Sequence, residues 1–177
     1  MKHVLKRIIR VTTASLLVVC SAQLFSDDKT DEENNASALS FEAIVEYAKD
    51  GDLDAIHGLC YRFLQGIGVE KNYPNAYFWC KKGATLGHSG SQTLFAEIHN
   101  FGHIPPVDYS TAFDWYQKAA EQGHQHAQYM LFIYYAKGIA VEQSNDLAIK
   151  WLIEAAKRGH QGAIDALKKI QNPDTET

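Results

Sequence analysis

The sequence predicts an all-α fold: a solenoid of αα-hairpins coiled as a right-handed superhelix. Three observations carry this. The phrases "FWCKKGATLGH", "DWYQKAAEQGH" and "KWLIEAAKRGH" end at His88, His124 and His160, 36 residues apart. Upstream positions keep the same step: Leu59, Phe95, Leu131 and Leu167 are in phase, as are Ala55, Ser91, Ala127 and Ala163. Helix start and stop residues recur once per unit at fixed offsets. A fixed period in the mid-thirties is the mark of a solenoid with one helix pair per repeat.

Taken from the N-terminus, "MKHVLKRIIR" is basic without an acid, and "VTTASLLVVCSA" after it is apolar and ends in small residues. That pattern predicts a secretory signal peptide over residues 1–22, and the apolar run falls short of the roughly 20 residues of a spanning helix. Two alternatives stay open: a lipoprotein cut before Cys20, although Val19 stands where Gly, Ala or Ser is usual, and an uncleaved N-terminal anchor. In each case the product is exported, to a bacterial periplasm or beyond, and meets a membrane only through this segment. Cleavage removes Lys2, Lys6, Arg7 and Arg10, leaving 13 basic residues of 17 against all 21 acids, a net charge of −8. With no basic stripe, nucleic acid is not an expected partner. Residues 23–39 contain "SDDKTDEENNAS", too poor in apolar side chains to offset their ordering entropy, and are expected to form a disordered acidic leader. The Asn35-Ala36-Ser37 sequon would matter only on a eukaryotic secretory route.

The repeat domain spans residues 40–172. Residues 40–52 form a half-repeat, because Phe41 is in phase with Tyr77 and Phe113, and Ala48 with Ala84. Full repeats follow at 53–88, 89–124 and 125–160, then a capping helix at 161–172 and a tail at 173–177. Within each repeat, the first helix (A) ends at Gly66, Gly102 or Gly138, and the second (B) starts at an N-cap, Asn72, Asp108 or Ser144. Pro74 sits in a first turn, where its missing N–H costs nothing. Each B helix stops at the Gly of Gly-His. The loops "IGVEKN", "HIPPVD" and "IAVEQS" have Val or Pro at the centre, and that Val is expected to plug the hairpin. Small residues at 76, 112 and 148 and at 83–84, 119–120 and 155–156 let helix axes approach, while Trp79, Trp115 and Trp151 fill wider gaps. Lys168 and Lys169 stand where Phe132 and Ile133 stood one repeat earlier, as suits a helix with nothing stacked beyond it. The total is eight helices.

The string Ala127, Leu131, Tyr135, Gly138, Ala140, Val141, followed by Ala148, Trp151, Ala155, Ala156, Gly159, His160, resembles the Sel1-like repeat, a relative of the tetratricopeptide repeat with a longer loop inside the hairpin. The resemblance covers about 130 residues. It departs where the family favours Gly after the helix-A Leu, which here is Cys60, Ala96 or Phe132, and where the second loop lacks its second Gly. The resemblance implies an interaction module, an adaptor or scaffold whose inner wall binds a protein or peptide, and neither an enzyme nor a cofactor protein. Some secreted, cysteine-rich relatives bind or slowly hydrolyse β-lactams, which makes a weak hydrolase the alternative, yet they carry a cysteine pair in every repeat and this chain has one. In the family arrangement Cys60 and Cys80 face each other across a hairpin, so an oxidising compartment would allow a disulfide, with two buried core thiols as the other reading.

The inner wall implied by that arrangement is lined by helix-A residues His57, Tyr61, Thr93, Glu97, Asn100, His126, Tyr129 and Ile133. Tyr129 and Ile133 also read as core. His88, His124 and His160 belong to the repeat phrase and read as structural. His99 and His103 have i,i+4 spacing, but Gly102 should end the helix between them. No Cys or carboxylate completes a tetrahedral set, so no metal is expected. GxSxG, HExxH and phosphate-loop motifs are missing, and Ser26–Lys29 matches S-x-x-K only inside the leader. A monomer is the expected state.

Overall fold

The computed structural model describes residues 40–171. The expected signal segment, leader and tail, with Cys20 and the Asn35 sequon, lie outside the described residues. Eight helices occupy the described residues: α1 (Phe41–Lys49), α2 (Leu53–Gln65), α3 (Tyr73–Thr85), α4 (Ser89–Asn100), α5 (Tyr109–Glu121), α6 (Gln125–Lys137), α7 (Asn145–Lys157) and α8 (Gln161–Gln171). Each packs on the next in the chain, and α2 also touches α4. No strand occurs among them. None is long and apolar enough to cross a membrane.

Local chemistry sets the boundaries. Asn72, Asp108 and Ser144 cap α3, α5 and α7, each accepting from the backbone N–H three residues on. These bonds satisfy donors that the first turn of a helix leaves free. Each B helix then hands over to the next A helix in three residues. After α3, Leu86 closes the helix, Gly87 turns left-handed at φ +91°, and His88 caps α4. Gly123 and Gly159 repeat the turn at +87° and +90°. Any side chain there would be strained, which is why the phrase needs glycine. Gly66 and Gly138 end α2 and α6 in the left-handed region, whereas α4 closes on Phe101 in the right-handed region before Gly102 turns at φ +63°.

The core is serial. Ile44, Ala48, Ile56 and Leu59 form the first cluster; Cys60, Leu64, Cys80, Phe95 and Ile98 belong to the second; Ala96, Tyr116, Leu131 and Tyr134 to the third; Leu152, Ala155 and Ala163 to the last. Trp79 packs on the first and second clusters, Trp115 on the second and third, and Trp151 on the third. All three are half-buried, and Lys82, Lys118 and Lys150 lie 5.1, 3.9 and 5.6 Å from their ring centroids. Trp79 and Trp115 thus sit in equivalent seats 36 residues apart, while Trp151 meets one cluster and takes its lysine from the preceding residue. Phe132 finds room against the last cluster, and Lys168 and Lys169 are exposed on the final helix.

The loop plug differs from expectation. Val69 and Val141 are half-buried, but Val107 is 47% exposed. Ile104 and Ile139 pack on the hairpin cores instead. In the middle loop, Pro105 and Pro106 separate Ile104 from Val107, so the isoleucine takes the inner position.

Cys60 and Cys80 are joined in a disulfide between α2 and α3, with an S–S distance of 2.06 Å and Cα atoms 4.8 Å apart. Both are fully buried. The in-phase pairs, Ala96 with Tyr116 and Phe132 with Leu152, fill the same space by pairing a small or adjustable residue with a large one. Such a bond belongs to an oxidising, extracytoplasmic setting.

Candidate functional site

The A helices form one wall. Helices α2 and α4 pack directly on each other, and no pair of B helices does so to a similar extent. Side chains continue the wall: Tyr134 Oη of α6 donates to Asn100 Oδ1 of α4 at 2.6 Å, and His126 Nε2 of α6 lies 3.1 Å from Glu97 Oε1 of α4.

One edge of this wall is a row of imidazoles. His88, His124 and His160 are the N-caps of α4, α6 and α8, where Nδ1 accepts the N–H of Ser91, Ala127 and Ala163 at 3.1, 3.5 and 3.3 Å. Sequence reasoning took these histidines as structural and missed their task. A signal was present: Asp52 occupies the same phase 36 residues before His88, and caps α2 by accepting from Ala55 N–H.

Each capping ring also meets the preceding repeat. His57 lies 4.7 Å from His88, centroid to centroid; Thr93 Oγ1 is 3.0 Å from His124 Nδ1; Tyr129 stacks on His160 at 4.4 Å. Residues 57, 93 and 129 are in phase, so one contact is written with three chemistries.

Capping fixes the proton positions. Because His160 Nδ1 accepts from Ala163, its proton is on Nε2, which faces His126 Nδ1 at 3.3 Å. His126 Nε2 in turn lies beside Glu97 Oε1.

The expected wall residues divide by depth. Tyr61 is exposed at 45%. The His126 side chain is 41% exposed and that of Glu97 19%. His57, Asn100, Tyr129 and Ile133 are half-buried, with Asn100 engaged by Tyr134 and Ile133 packed on the third cluster. Thr93 is corrected: it is 2% exposed, with its hydroxyl between Ser89 O and His124 Nδ1, so it supports the wall from beneath and offers no surface. Four buried polar atoms lack a hydrogen-bond partner among the described residues, His57 Nδ1, His99 Nε2, Tyr116 Oη and Gln128 Oε1. Burial, with the Glu97 charge adding to it, pushes the Tyr116 hydroxyl pKa far up, so it stays protonated.

Burial also pushes His124 down to about 4, with His126, His57 and His88 adding to the effect and the Glu97 charge opposing it. His57 and His160 shift the same way, again mainly through burial. The native state therefore binds the His124 proton less readily than the unfolded chain does. Stability is fully present above about pH 6.5 and is lost as pH falls toward about 4, by on the order of 2 kcal/mol after allowing for the ring's contact with solvent. Chemical denaturation at pH 7.5 and 4.5 measures this. His124→Asn, a cap that does not titrate, should flatten the wild-type dependence over that interval. An equal slope in the two proteins would remove His124 as its source.

No three His, Cys, Asp or Glu residues among the described ones converge as a metal site. His99 and His103 do not act together: His99 packs on Phe95 and Tyr77, and His103 stacks on Tyr73 at 4.7 Å.

Serial cores and hairpins joined by Gly-His define an α-solenoid of tetratricopeptide-like repeats. The chain belongs to the Sel1 repeat family, whose pattern matches residues 53–88, 91–124 and 125–160. It is similar to a Sel1 repeat protein from Oxalobacter formigenes, with 34% identity and a TM-score of 0.65 over 71% of this chain and 95% of that one. A protective antigen of uropathogenic Escherichia coli strains, which displays an SLR fold, is 26% identical with a TM-score of 0.69, over 75% of this chain but 28% of that longer one. The cysteine-rich protein B of Helicobacter pylori shares the fold at 15% identity and a TM-score of 0.59, over 73% of this chain and 98% of that one. No curated protein matches. Sel1 repeat proteins generally serve as protein-interaction modules.

Proposed function

We propose that this chain is an exported, non-enzymatic adaptor that holds a protein or peptide segment along its A-helix wall. The observation that carries the reading is the wall itself: Tyr61, Glu97, His126 and Tyr129 present aromatic and polar groups on three successive rigid helices. Aromatic side chains supply contact area at small entropic cost, and a stack of helices holds them in place before the partner arrives. Export follows from the basic and apolar N-terminal sequence and fits the disulfide.

Affinity capture from an envelope fraction tests the proposal. Tyr61→Ala and Tyr129→Ala should each weaken retention of the captured partner by about tenfold or more, the range of an aromatic hot spot. Lys118→Ala, which alters only the outer face, should retain it. Partners retained equally by all three variants would place binding elsewhere on the molecule.

A further inference from the structure

We infer that α8 is an acid-released latch: it is locked to α6 through the uncharged imidazole of His160, and uptake of a proton at the His126–His160 contact releases it while the preceding helices stay packed. The device does not depend on what the wall binds.

Helix α8 is held lightly by its own packing. Ala163 is its one fully buried residue among those described. Leu167 is half-buried and Ile170 is 59% exposed, whereas Leu131 and Tyr134, in phase with them on α6, are fully buried. Of the described helices, α7 alone packs on α8 extensively, while each of α2, α4 and α6 lies between two B helices. A helix with few buried contacts opens at lower free energy than the core.

His160 supplies the remaining attachments. Its Nδ1 accepts Ala163 N–H at 3.3 Å, its ring stacks on Tyr129 of α6 at 4.4 Å, and its Nε2 faces His126 Nδ1 of α6 at 3.3 Å. The cap needs a bare Nδ1, so Nε2 donates to His126. One more proton at this contact cannot be placed without loss. On His160 Nδ1 it removes the cap acceptor. On His126 Nδ1 it sets two N–H groups against each other across the 3.3 Å gap.

The neighbouring charges do not prevent this. From α4, Glu97 meets the far side of His126, at Nε2, and favours a charged ring there. On α6, His124 stands two residues before His126. From α7, Glu154 is engaged by Lys157 at 2.9 Å, and Arg158 reaches over Gly123. On α8 itself Asp165 accepts from Gln161, and Lys168 and Lys169 are exposed. His88, the matching cap of α4, has Asp54 at 3.6 Å from its Nε2 to favour a charged ring, where His160 has another imidazole. Burial lowers the His160 pKa, and His126 lowers it further. The docked state therefore binds the proton less readily than the released one. Docking is at full strength above about pH 6.5 and weakens as pH falls below it.

Backbone hydrogen exchange on the full chain, corrected for the intrinsic effect of pH, reads the release helix by helix. Between pH 7.5 and 4.5, protection of residues 164–170 should fall at least about tenfold in wild type. His160→Asn keeps a cap that does not titrate, so the α8 dependence should vanish. His124→Asn should leave the α8 loss as in wild type. Thermal melts at pH 7.5 confirm that both variants are folded. Nitrogen NMR of the labelled wild type gives a second reading: at pH 7.5 His160 should carry its proton on Nε2. A proton on Nδ1, α8 protection indifferent to pH, or an equal loss in His160→Asn overturns the inference. So does an α8 loss abolished by His124→Asn, which would make it part of global unfolding.

Discussion

Reduction of the disulfide is expected to lower the melting temperature by about 10 °C. The bond joins residues 20 apart in sequence, and closing a loop of that size removes conformational entropy from the unfolded chain worth roughly 3 kcal/mol. For a domain of this length, each kcal/mol moves the midpoint by about 3–5 °C. The effect should be large because a solenoid cannot spread the loss: α2 and α3 form one hairpin, and its stability is passed to α1 and α4 through shared faces. Thermal melts of wild type with and without reductant, beside Cys60→Ala/Cys80→Ala, make the measurement. Reductant should shift wild type and leave the variant still. The variant melts lower again, since both sulfur atoms leave a fully buried site and a cavity adds its own penalty. A wild-type melt indifferent to reductant would show that the cross-link contributes nothing.

Gly83→Ala is expected to destabilise by about 2 kcal/mol, against what the repeat pattern suggests. The in-phase residues are Ala119 and Ala155, and alanine in a helix interior ordinarily gains up to about 1 kcal/mol over glycine. Here a Cβ on Gly83 would collide with Ser91 Oγ and lie 2.7 Å from Ser91 Cβ and 3.0 Å from Ile56 Cγ2. Ser91 is itself the exception at its position, where Ala127 and Ala163 stand one and two repeats later. Glycine and serine at this junction between repeats replace alanine and alanine at the later ones: one residue gives up a carbon and the other adds an oxygen. Ser91→Ala in the Gly83→Ala background should recover part of the loss, because the remaining Cβ–Cβ approach is still short. Urea denaturation of the two single variants and the double variant yields the coupling. Additive losses would mean that the two sites do not share this space.

Much of this fold was legible before any coordinates. Asn72, Asp108 and Ser144 are unlike one another, yet each is a good N-cap at the same phase, and each begins a helix. The turn at Gly87, Gly123 and Gly159 was equally plain, because a left-handed residue after a helix is a local requirement. The site was less legible. Thr93 shares its phase with His57 and Tyr129, so the pattern placed it on the wall, but the His124 cap closes over it. Val107 is exposed where Val69 and Val141 are half-buried, and Ile104 packs on the core in that loop. The capping histidines were read as structural without their hydrogen bonds, since histidine is seldom thought of as an N-cap.

The sequence by itself determined the class of fold and most of the residues at which its helices start and stop. These depend on residues near one another in the chain and on a constant step between neighbouring units, and both are one-dimensional information. Tertiary structure alone decided which wall residues reach solvent, which nitrogen of each capping imidazole accepts the helix N–H, and why Gly83 tolerates no methyl group. Those outcomes depend on the size and hydrogen bonding of the side chain arriving from the next repeat. Position in the period says where that neighbour lies, but its shape, and the space it leaves, appear only once the helices are packed.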